Sequence, residues 1–303
     1  MKLNEDDFHP LELEDKKIFD RIYKKHPIKH SENSFGTLFC WRSYGNYKIC
    51  EYDNCLIIKG ETENYHSYRF PIGPLKNEVI DATIRLAEDL GDNAPLLVLE
   101  PDHYTWLQEN RPDLILKPDR NFFDYVYRAE TLATLPGQDF ITVRKHISRF
   151  RRKCPSTIEE ITDSNLDAVL EFLIKWCQHR ECDKYTILKH EKDAIHEAVN
   201  NFSELGFAGL TVNPKDVIGG IAIFEELNSE TAVIHYEKAL PDCEGIYKEV
   251  NLQTAMHLKD RYTYINRESD MGIPGLREAK ERYHPECMIK LHYLENPLVS
   301  HSQ

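Results

Sequence analysis

The sequence contains no apolar run long enough to cross a membrane as a helix. Its longest apolar stretch, VIGGIAIF from Val217 to Phe224, has the length of a strand, whereas a transmembrane helix needs about 20 apolar residues. The first ten residues, MKLNEDDFHP, are acidic and lack the apolar core of a secretion signal. Both absences predict a cytoplasmic protein without a transmembrane segment.

The cysteines lack the spacing of a metal site. The sequence has eight of them and no C-x-x-C pair, and structural zinc sites are usually built on such closely spaced pairs. We therefore expect no metal site, and we expect reduced thiols, as is usual in the cytoplasm. No cysteine stands in a recognisable nucleophile motif, which disfavours cysteine catalysis. The positions are Cys40, Cys50, Cys55, Cys154, Cys177, Cys182, Cys243 and Cys287.

An overall excess of basic residues is also absent. The net charge is −13, from 38 Lys and Arg against 51 Asp and Glu, which disfavours general binding to nucleic acids or anionic membranes. The exception is RKHISRFRRK, residues 144–153, with six Arg or Lys and no acid. Val143, Ile147 and Phe150 give this segment an apolar face, which predicts an amphipathic helix.

A solvated surface is the common explanation of such a basic helix. The alternative is a phosphate-rich partner, such as the acceptor end of a tRNA. On that alternative, the nucleic-acid-binding residues are Arg144, Lys145, Arg149 and Arg152.

The second half of the chain shows a regular order of predicted elements. Two helices precede three strand-like runs at 207–212, 217–227 and 231–239, which short polar turns connect. A helix from Gly245 follows, then a strand at 262–266, a helix at 274–283 and a last strand, CMIKLHYL, at 287–294. This order predicts an antiparallel meander that continues into alternating helices and strands.

The first half has nearly the same order, although no residue-level repeat is visible. Strand-like runs at 37–44 (TLFCWRSY), 48–60 and 67–73 precede a helix, a buried strand, a short helix and a long strand. The repetition predicts an α+β fold of two tandem domains, each a mixed, largely antiparallel sheet flanked by helices. We place the domains at residues 1–150 and 151–303, so that the basic helix ends the first domain.

The stretch YINRESDMGIPGLREAKERYHP, residues 264–285, has more polar residues and glycines than a turn and a helix require. Its pattern predicts a helix that begins at Pro274 and ends before Pro285, and the second proline also predicts an extended His284. The surplus residues lie between a strand end and a helix N-terminus, where α/β folds tend to bind ligands. They are Asn266, Arg267, Glu268, Asp270, Gly272 and Gly275.

Four motifs resemble a known bacterial family: ATLPG (133–137), HYEKA (235–239), YINRESDMGIPGLREAK (264–280) and YHP (283–285). The family is related to the C-terminal catalytic domain of phosphatidylglycerol lysyltransferase, and the resemblance covers essentially the whole chain. It implies two tandem domains of the GNAT acyltransferase type, which agrees with the element order. It also implies kinship with Fem-type aminoacyltransferases, whose donor is a charged tRNA.

Three residues in these motifs are candidates for proton transfer. Glu237 lies on the third strand of the meander, where GNAT enzymes often carry a carboxylate base, and acyl transfer requires removal of a proton from the acceptor. Tyr283 and His284 are candidates to protonate the leaving group. The alternatives are a structural ion pair for Glu237 and helix-end packing for Tyr283 and His284.

A larger set of residues is predicted to bind substrate. Alternation along the strand places His235 and Glu237 on one face, opposite Tyr236 and Lys238. The predicted set is His235, Tyr236, Lys238, Gly245, Tyr247, Asn251, Asn266, Arg267, Glu268, Asp270, Gly272, Gly275, Arg277 and Lys280.

The segment PDCEGIYKEVN, residues 241–251, is a poor match to the pyrophosphate loop of enzymes that use acyl-CoA. Such loops bind phosphates with the backbone N–H groups of a glycine-rich turn at a helix N-terminus. Here Gly245 is the single glycine, Asp242 and Glu244 stand beside it, and Tyr247 replaces a second small residue. Acyl-CoA is therefore disfavoured, and no other cofactor is predicted.

The expected function is acyl transfer in its aminoacyl form, from a charged tRNA to an amine or hydroxyl of a small molecule or a lipid. The C-terminal domain carries the predicted site. Two alternatives remain open: an acyl-CoA-dependent N-acyltransferase, and a non-catalytic protein that uses the same fold to bind or sense a small ligand.

Overall fold

The computed structural model describes residues 3–62, 65–89 and 96–295. The chain divides into two units, one formed by Met1–Asp124 with Ile289–Gln303 and the other by Tyr125–Met288. Each unit is built around a seven-stranded sheet. Within the described ranges, no helix combines the length and the apolarity needed to cross a membrane.

The elements of the first 124 residues are short. In chain order they are β1 (His9–Pro10), α1 (Lys16–Tyr23), α2 (Phe35–Cys40), α3 (Arg42–Gly45), β2 (Lys48–Tyr52), β3 (Cys55–Thr62), β4 (Tyr65–Arg69), α4 (Asn77–Asp89), β5 (Leu96–Val98), α5 (Pro101–Asn110) and β6 (Leu116–Pro118). Single-turn 3₁₀ helices lie at Glu5–Asp7, Leu13–Asp15, Ser31–Asn33 and Arg120–Phe122.

The later elements include the longest helices. In chain order they are β7 (Asp124–Arg128), α6 (Ala129–Thr134), α7 (Ile141–Lys153), β8 (Ser156–Glu160), α8 (Leu166–Arg180), α9 (Thr186–Asn200), α10 (Phe202–Leu205), β9 (Ala208–Pro214), β10 (Gly220–Asn228), β11 (Thr231–Ala239), α11 (Ile246–Leu258), β12 (Tyr264–Asn266), α12 (Pro274–Glu281), β13 (Cys287–Ile289) and β14 (His292–Leu294). A 3₁₀ helix at Cys182–Lys184 joins α8 to α9.

In both sheets an antiparallel meander leads into a parallel pair of strands. The first sheet has the order β1-β2-β3-β4-β5-β14-β6, with β4 and β5 parallel. The second has the order β13-β7-β12-β11-β10-β9-β8, with β11 and β12 parallel. The predicted fold class, two tandem α+β units with mixed, largely antiparallel sheets flanked by helices, is confirmed.

Apolar residues at helical spacing form the core of the second unit. Val143, Ile147 and Phe150 of α7 are buried in one cluster with Ile246 and Val250 of α11 and with side chains of the sheet. Burial of each such side chain stabilises the fold by about 1.5–3 kcal/mol. The basic segment is therefore an amphipathic helix, as predicted.

The two sheets exchange their last strands. β7 belongs to the first half of the sequence but lies between β12 and β13, and β14, the last strand, lies between β5 and β6. The segment 287–294, predicted as one strand, thus forms two strands in different sheets. The units divide at Asp124 and Tyr125, which differs from the boundary predicted at residue 150 because β7 joins the second sheet and α7 packs in the second core.

The prediction of a strand at 37–44 is wrong, because this segment forms α2 and α3. The hydroxyl of Ser34 caps α2 by accepting a hydrogen bond from the N–H of Thr37 at 3.0 Å. Phe35 and Phe39 are buried one helical turn apart. The cap and this burial outweigh the β propensity of the aromatic residues.

The expectation of reduced cysteines is wrong for four of them. Cys154 is bonded to Cys243, and Cys177 to Cys182. The first disulfide joins the end of α7 to the loop before α11, which are 89 residues apart in the sequence. Spacing along the chain could not indicate a pair so distant.

Candidate functional site

The parallel strands β11 and β12 separate after a short stretch of pairing. Residues 231–233 of β11 pair with 264–266 of β12, and β11 continues to Ala239 beyond the end of β12. The chain after β12 follows β7 instead, since the N–H of Arg267 donates to the carbonyl of Tyr125 at 2.9 Å. We call the space between the diverging strands the wedge. In the first sheet, the last residue of β4 is still paired with β5, so that pair does not diverge.

A β-bulge at His235 determines where the side chains of β11 lie. The register with β10 shifts between Ile223 and Phe224, which leaves His235 as an extra residue. Glu237 contacts α11, whereas the ring of His235 lies 5.4 Å from that of Phe207. The prediction that His235 and Glu237 share one face is therefore wrong, because the bulge interrupts the alternation.

Glu237 and Arg267 form an ion pair across the wedge. Nη2 of Arg267 donates to Oε2 of Glu237, and Nδ2 of Asn251 donates to Oε1 at 3.2 Å. The guanidinium carbon of Arg267 lies 5.7 Å from the ring centroid of Tyr127 and 5.2 Å from that of Tyr283, within the range of cation–π contacts. We call these five residues the Glu237 centre.

The Glu237 centre combines a fixed positive charge with a protonated phenol. Burial opposes the charge of Arg267, but the carboxylate of Glu237 outweighs it and raises the pKa of the guanidinium above its usual value. Burial raises the pKa of Tyr283 to about 12, so the phenol keeps its proton at neutral pH. A carboxylate that can accept a proton thus lies beside a phenol that can donate one.

His235 forms a separate cluster with two carboxylates. Its Nδ1 lies 2.9 Å from Oε1 of Glu268, and its Nε2 lies 2.9 Å from Oε1 of Glu225. Burial by itself lowers the pKa of His235, but the hydrogen bonds to Glu225 and Glu268 outweigh burial and raise it to about 10. The charged imidazole joins β10, β11 and the loop after β12, and its side chain is only 4% exposed. This arrangement stabilises the loop and leaves little of the ring to contact a substrate.

Asp270 fixes the next part of the loop. Its carboxylate accepts hydrogen bonds from Nε of Arg277 at 2.8 Å, from the hydroxyl of Tyr125 at 2.6 Å and from the N–H of Gly272 at 2.8 Å. Burial raises the pKa of Asp270, but the hydrogen bonds from Arg277 and Tyr125 outweigh it and hold the pKa below its usual range. Asn266 is fully buried at the start of the loop, and its Oδ1 accepts from the N–H of Glu268 at 2.8 Å.

Lys280 reaches from α12 to the backbone of the same loop. Its Nζ donates to the carbonyls of three successive residues: Arg267, Glu268 at 3.0 Å and Ser269 at 2.7 Å. The residue is 8% exposed. An ammonium has three hydrogens, so these carbonyls account for its donors. Lys280 therefore holds the backbone that carries Arg267.

Lys238 and Tyr247 belong to a cluster around Trp176 of α8. Nζ of Lys238 donates to Oε1 of Glu191 at 2.6 Å and lies 4.4 Å from the ring of Trp176. Nε1 of Trp176 donates to the hydroxyl of Tyr247 at 3.2 Å. Tyr236 is buried, at 4% exposure. The hydrogen bonds of Lys238 and Tyr247 described here thus go to Glu191 and Trp176 and not to the Glu237 pair.

An open cavity of about 400 Å³ lies between α8 and α9. Ile174, Lys192 and His196 are among its lining residues, and a small extension reaches Trp176. No member of the Glu237 centre lines it. Across the described residues, no group of three or more His, Cys, Asp or Glu side chains is placed to hold a metal ion.

Gly245 has a structural reason to be glycine. Its φ is +98°, and a Cβ at this position would lie 2.9 Å from the carbonyl oxygen of His146 on α7. Glu244 beside it is paired with Arg149 at 2.9 Å, and the disulfide at Cys243 ties the same loop to the end of α7. The glycine thus packs against α7, and an acid lies beside it. That acyl-CoA is disfavoured at this loop stays a prediction.

His284 lies at the end of α12, away from the hydrogen bonds of the Glu237 centre. Its φ is +53°, so the prediction of an extended conformation is wrong. The left-handed turn lets its N–H donate to the carbonyl of Glu281 at 2.9 Å, which ends the helix. The exposed ring lies 5.4 Å from that of Phe140. This geometry favours Tyr283 over His284 as a proton donor.

Gly272 and Gly275 of the loop differ in whether the structure requires a glycine. Gly272 has φ +72°, a conformation that favours glycine. Gly275, in the first turn of α12, has no such φ, and an added Cβ would meet nothing within 4 Å. Neither backbone conformation nor packing explains glycine at this second position.

Two of the four predicted nucleic-acid-binding residues of α7 already have hydrogen-bond partners in the chain. Arg144 donates to the carbonyl of Leu135, and Arg149 pairs with Glu244. Lys145 and Arg152 are exposed. Nucleic-acid binding by this helix stays a prediction, to which Lys145 and Arg152 would contribute most.

Several residues near the wedge were not predicted. They are Tyr125, Tyr127, Trp176, Glu191 and Glu225. The two tyrosines come from β7, which the repeated element order assigns to the other domain. The alternating pattern DYVYR of β7 indicates a strand, but nothing in it indicates the sheet that the strand joins.

The chain matches one family model and several solved structures. The family model described as phosphatidylglycerol lysyltransferase, C-terminal, matches residues 23–294. A conserved protein of unknown function from Bacteroides thetaiotaomicron VPI-5482 is 28% identical, with TM-score 0.88 over 95% of this chain and 99% of that one. No curated protein sequence matches the chain.

Two further solved structures share the fold at low identity. One is the C-terminal domain of a proposed lysylphosphatidylglycerol synthetase from Agrobacterium fabrum, 15% identical, with TM-score 0.65 over 93% of this chain and 92% of that one. The other is L-PGS from Bacillus licheniformis, 11% identical, with TM-score 0.64 over 94% of this chain and 92% of that one.

Proposed function

The chain belongs to the family of the C-terminal region of phosphatidylglycerol lysyltransferase, and from this premise we propose that its second unit is an aminoacyltransferase. The donor is a charged tRNA, and the acceptor is a hydroxyl or an amine. Because the family is named for a lipid substrate, the headgroup hydroxyl of an anionic phospholipid is the first candidate acceptor. The reaction takes place in the cytoplasm, where charged tRNA is available.

One observation carries the proposal: the Glu237–Arg267 pair lies in the wedge, with the phenol of Tyr283 beside it. The side chains of Glu237 and Arg267 are each 15% exposed, so the pair is sheltered but reachable. Electrostatic interactions are stronger in such a sheltered place than in water. These are the groups that acyl transfer needs: a proton acceptor, a positive charge and a proton donor.

The chemistry balances with these groups alone. The acceptor oxygen or nitrogen forms a bond to the ester carbonyl carbon, and the bond from that carbon to the ribose oxygen breaks. Glu237 takes the proton of the acceptor, and Tyr283 supplies one to the ribose oxygen. The proton on Glu237 then returns to the Tyr283 phenolate through solvent, which restores both groups and makes the net transfer one proton from acceptor to ribose. Arg267 stabilises the negative charge that develops on the carbonyl oxygen.

Glu237 must exchange partners to act in this way. Its two oxygens already accept hydrogen bonds from Arg267 and Asn251. The contact to Asn251, at 3.2 Å, is long and is the one that an acceptor hydroxyl would replace.

The loop at 241–251 supports the charged tRNA over acyl-CoA as donor. Glu244 places a negative charge beside Gly245, and no second glycine follows in this loop, which makes it a poor site for the pyrophosphate of CoA. An aminoacyl ester at the end of a tRNA requires no pyrophosphate site in this loop.

A donor assay tests the proposal. The protein is incubated with vesicles that contain phosphatidylglycerol, together with tRNA charged with labelled amino acids or, separately, with labelled acetyl-CoA. We expect label in the lipid fraction from the charged tRNA and none from acetyl-CoA. Transfer from acetyl-CoA would overturn the proposal in favour of an N-acyltransferase, and ligand binding without any product would indicate a sensor.

A further inference from the structure

The connection between α8 and α9 exposes apolar side chains to solvent. Tyr185 is 56% exposed and Ile187 is 42% exposed, and Ile174 of α8 is 48% exposed. Ile174 lines the same cavity as Lys184, which precedes Tyr185 in the sequence. A single exposed apolar residue is common on protein surfaces, whereas a cluster of them with polar residues around it indicates contact with another molecule.

Basic side chains surround this cluster. Lys184 and Lys189 flank it in the sequence KYTILK, and Lys192 lines the cavity together with Lys184. Residues 174–192 contain five Lys or Arg and three Asp or Glu, whereas the whole chain has a net charge of −13. The connection is therefore basic on an acidic protein. We call the following six residues the α8–α9 surface: Ile174, Lys184, Tyr185, Ile187, Lys189 and Lys192.

Two of these lysines form ion pairs in which a lipid phosphate can replace the carboxylate. Nζ of Lys184 lies 2.6 Å from Oε1 of Glu181, and Nζ of Lys192 lies 3.3 Å from Oδ1 of Asp183. Each of the four side chains is at least 37% exposed. Exposed ion pairs contribute little to stability, so the exchange costs the fold little.

The α8–α9 surface lies beside the strand that carries Glu237. Ile187 is one helical turn before Glu191 on α9, so the two side chains are neighbours on the helix. Nζ of Lys238 donates to Oε1 of Glu191 at 2.6 Å, and Lys238 follows Glu237 on β11. A partner that covers Ile187 therefore comes close to the C-terminal end of β11.

Resting on the proposed lipid acceptor, we propose that the α8–α9 surface docks the protein on an anionic lipid bilayer. Tyr185 and Ile187 enter the boundary between headgroups and acyl chains, and the lysines contact lipid phosphates. Tyrosine suits this boundary because its ring is apolar and its hydroxyl is polar. The acids elsewhere on the chain oppose docking weakly, since charges more than about 8 Å apart are largely screened at physiological salt.

Flotation with lipid vesicles tests this inference without requiring turnover. One set of vesicles contains phosphatidylglycerol and phosphatidylcholine in equal parts, and the other contains phosphatidylcholine alone. The wild type should bind the anionic vesicles more tightly by about tenfold or more, and high salt should weaken this binding. Equal binding to both sets, or no binding to the anionic set, would overturn the inference.

Two double variants separate the apolar and the basic contribution. Tyr185→Ser with Ile187→Ser removes the apolar contacts, and serine is a preferred residue at the N-cap position that Tyr185 occupies in α9. Lys184→Gln with Lys189→Gln removes two charges, each of which contributes about fivefold to binding. Both double variants should bind the anionic vesicles more weakly by about tenfold or more.

Matched controls alter the same residue types elsewhere on the surface. Val217→Ser changes an apolar residue that is 61% exposed between β9 and β10. Lys24→Gln with Lys25→Gln removes two exposed lysines after α1. Both controls should bind vesicles like the wild type, and all four proteins should keep the wild-type urea midpoint. Wild-type vesicle binding by either of the α8–α9 double variants would overturn the inference.

Fluorescence measures the insertion directly. Tyr185→Trp places an indole at the α8–α9 surface, and its emission should shift to shorter wavelength when anionic vesicles are added. Val217→Trp, the control, should show no shift beyond that of the wild type. A bound Tyr185→Trp protein without the shift would contradict the insertion of this residue.

The outcomes separate docking from the proposed function and from other partners. The serine double variant should transfer more slowly than the wild type to phosphatidylglycerol in vesicles, but equally fast to a short-chain phosphatidylglycerol dissolved as monomers. Docking without transfer to either lipid would support the inference and overturn the proposed function. A wild type that binds tRNA through these lysines, or dimerises through Tyr185 and Ile187, but does not bind vesicles would overturn the inference.

Discussion

Replacing Lys280 with methionine should lower the free energy of unfolding of the second unit. Nζ of Lys280 donates to the carbonyls of Arg267, Glu268 and Ser269 and lies 5.7 Å from the ring centroid of Tyr125. Methionine fills a similar volume, so little packing is lost. What the substitution removes is the charge and its hydrogen bonds.

The size of this loss of stability follows from the burial of the Lys280 ammonium. Hydrogen bonds to a charged donor are each worth about 1.5–3 kcal/mol, and three bonds from one ammonium are not additive. Removing the ammonium leaves buried carbonyls unsatisfied, which costs about 1–3 kcal/mol for such a group. We therefore expect Lys280→Met to lower the free energy of unfolding by about 2–4 kcal/mol, because the three losses do not add in full. Turnover should fall too, because the backbone that carries Arg267 loses its support.

Urea unfolding at pH 7, followed by circular dichroism, measures the effect. Lys259→Met is the matched control, because the Lys259 ammonium pairs with Glu130 at 3.3 Å at the surface, where such pairs contribute little. We expect a large shift of the urea midpoint for Lys280→Met and almost none for Lys259→Met. Equal midpoints for the wild type and Lys280→Met would refute the description of this lysine as a buried support of the loop.

Two further predictions concern the same unit. The pKa of His235 is raised to about 10. Between about pH 6.5 and 10, the folded chain therefore holds a proton that the unfolded chain has released. As the pH rises through this range, the free energy of unfolding should fall by up to about 1.4 kcal/mol per pH unit. His235→Gln should remove this pH dependence of the free energy of unfolding, as measured by urea unfolding from pH 7 to 10. An unchanged pH dependence would show that His235 is not held in its charged form by Glu225 and Glu268. Gly245→Val places a branched side chain at φ +98° against the carbonyl of His146 and should lower the free energy of unfolding by about 1–3 kcal/mol. A midpoint equal to that of the wild type would show that the loop has room for a side chain.

The order of elements could be predicted because it depends on local patterns. The meander predicted at 207–239 corresponds to β9, β10 and β11, and the loop and helix of 264–285 lie where the sequence places them. The 3.6-residue and two-residue periods are properties of neighbouring residues. Helices and strands can therefore be recognised in the sequence without knowing which segments pair in the fold.

The pairing of distant segments could not be predicted in the same way. The sequence gives no sign that β7 leaves the first sheet, yet this exchange supplies Tyr127 to the Glu237 centre. The disulfide between Cys154 and Cys243 is equally non-local. The bulge at His235 was missed for a different reason: a strand with one extra residue has the same composition as a regular strand.

The central claim is that Glu237 accepts the proton of the acceptor, and a single-turnover experiment tests it most directly. Glu237→Gln keeps the shape and removes the carboxylate, and it is compared with Glu226→Gln, whose carboxylate pairs with Arg261 at 2.7 Å near the surface. With preloaded charged tRNA and phosphatidylglycerol vesicles, the first-turnover rate should fall by about 10²-fold or more in Glu237→Gln. The rate should be unchanged in Glu226→Gln, and donor binding should be retained in both variants. A Glu237→Gln protein that binds donor and transfers it at the wild-type rate would contradict the account and make the pair with Arg267 purely structural.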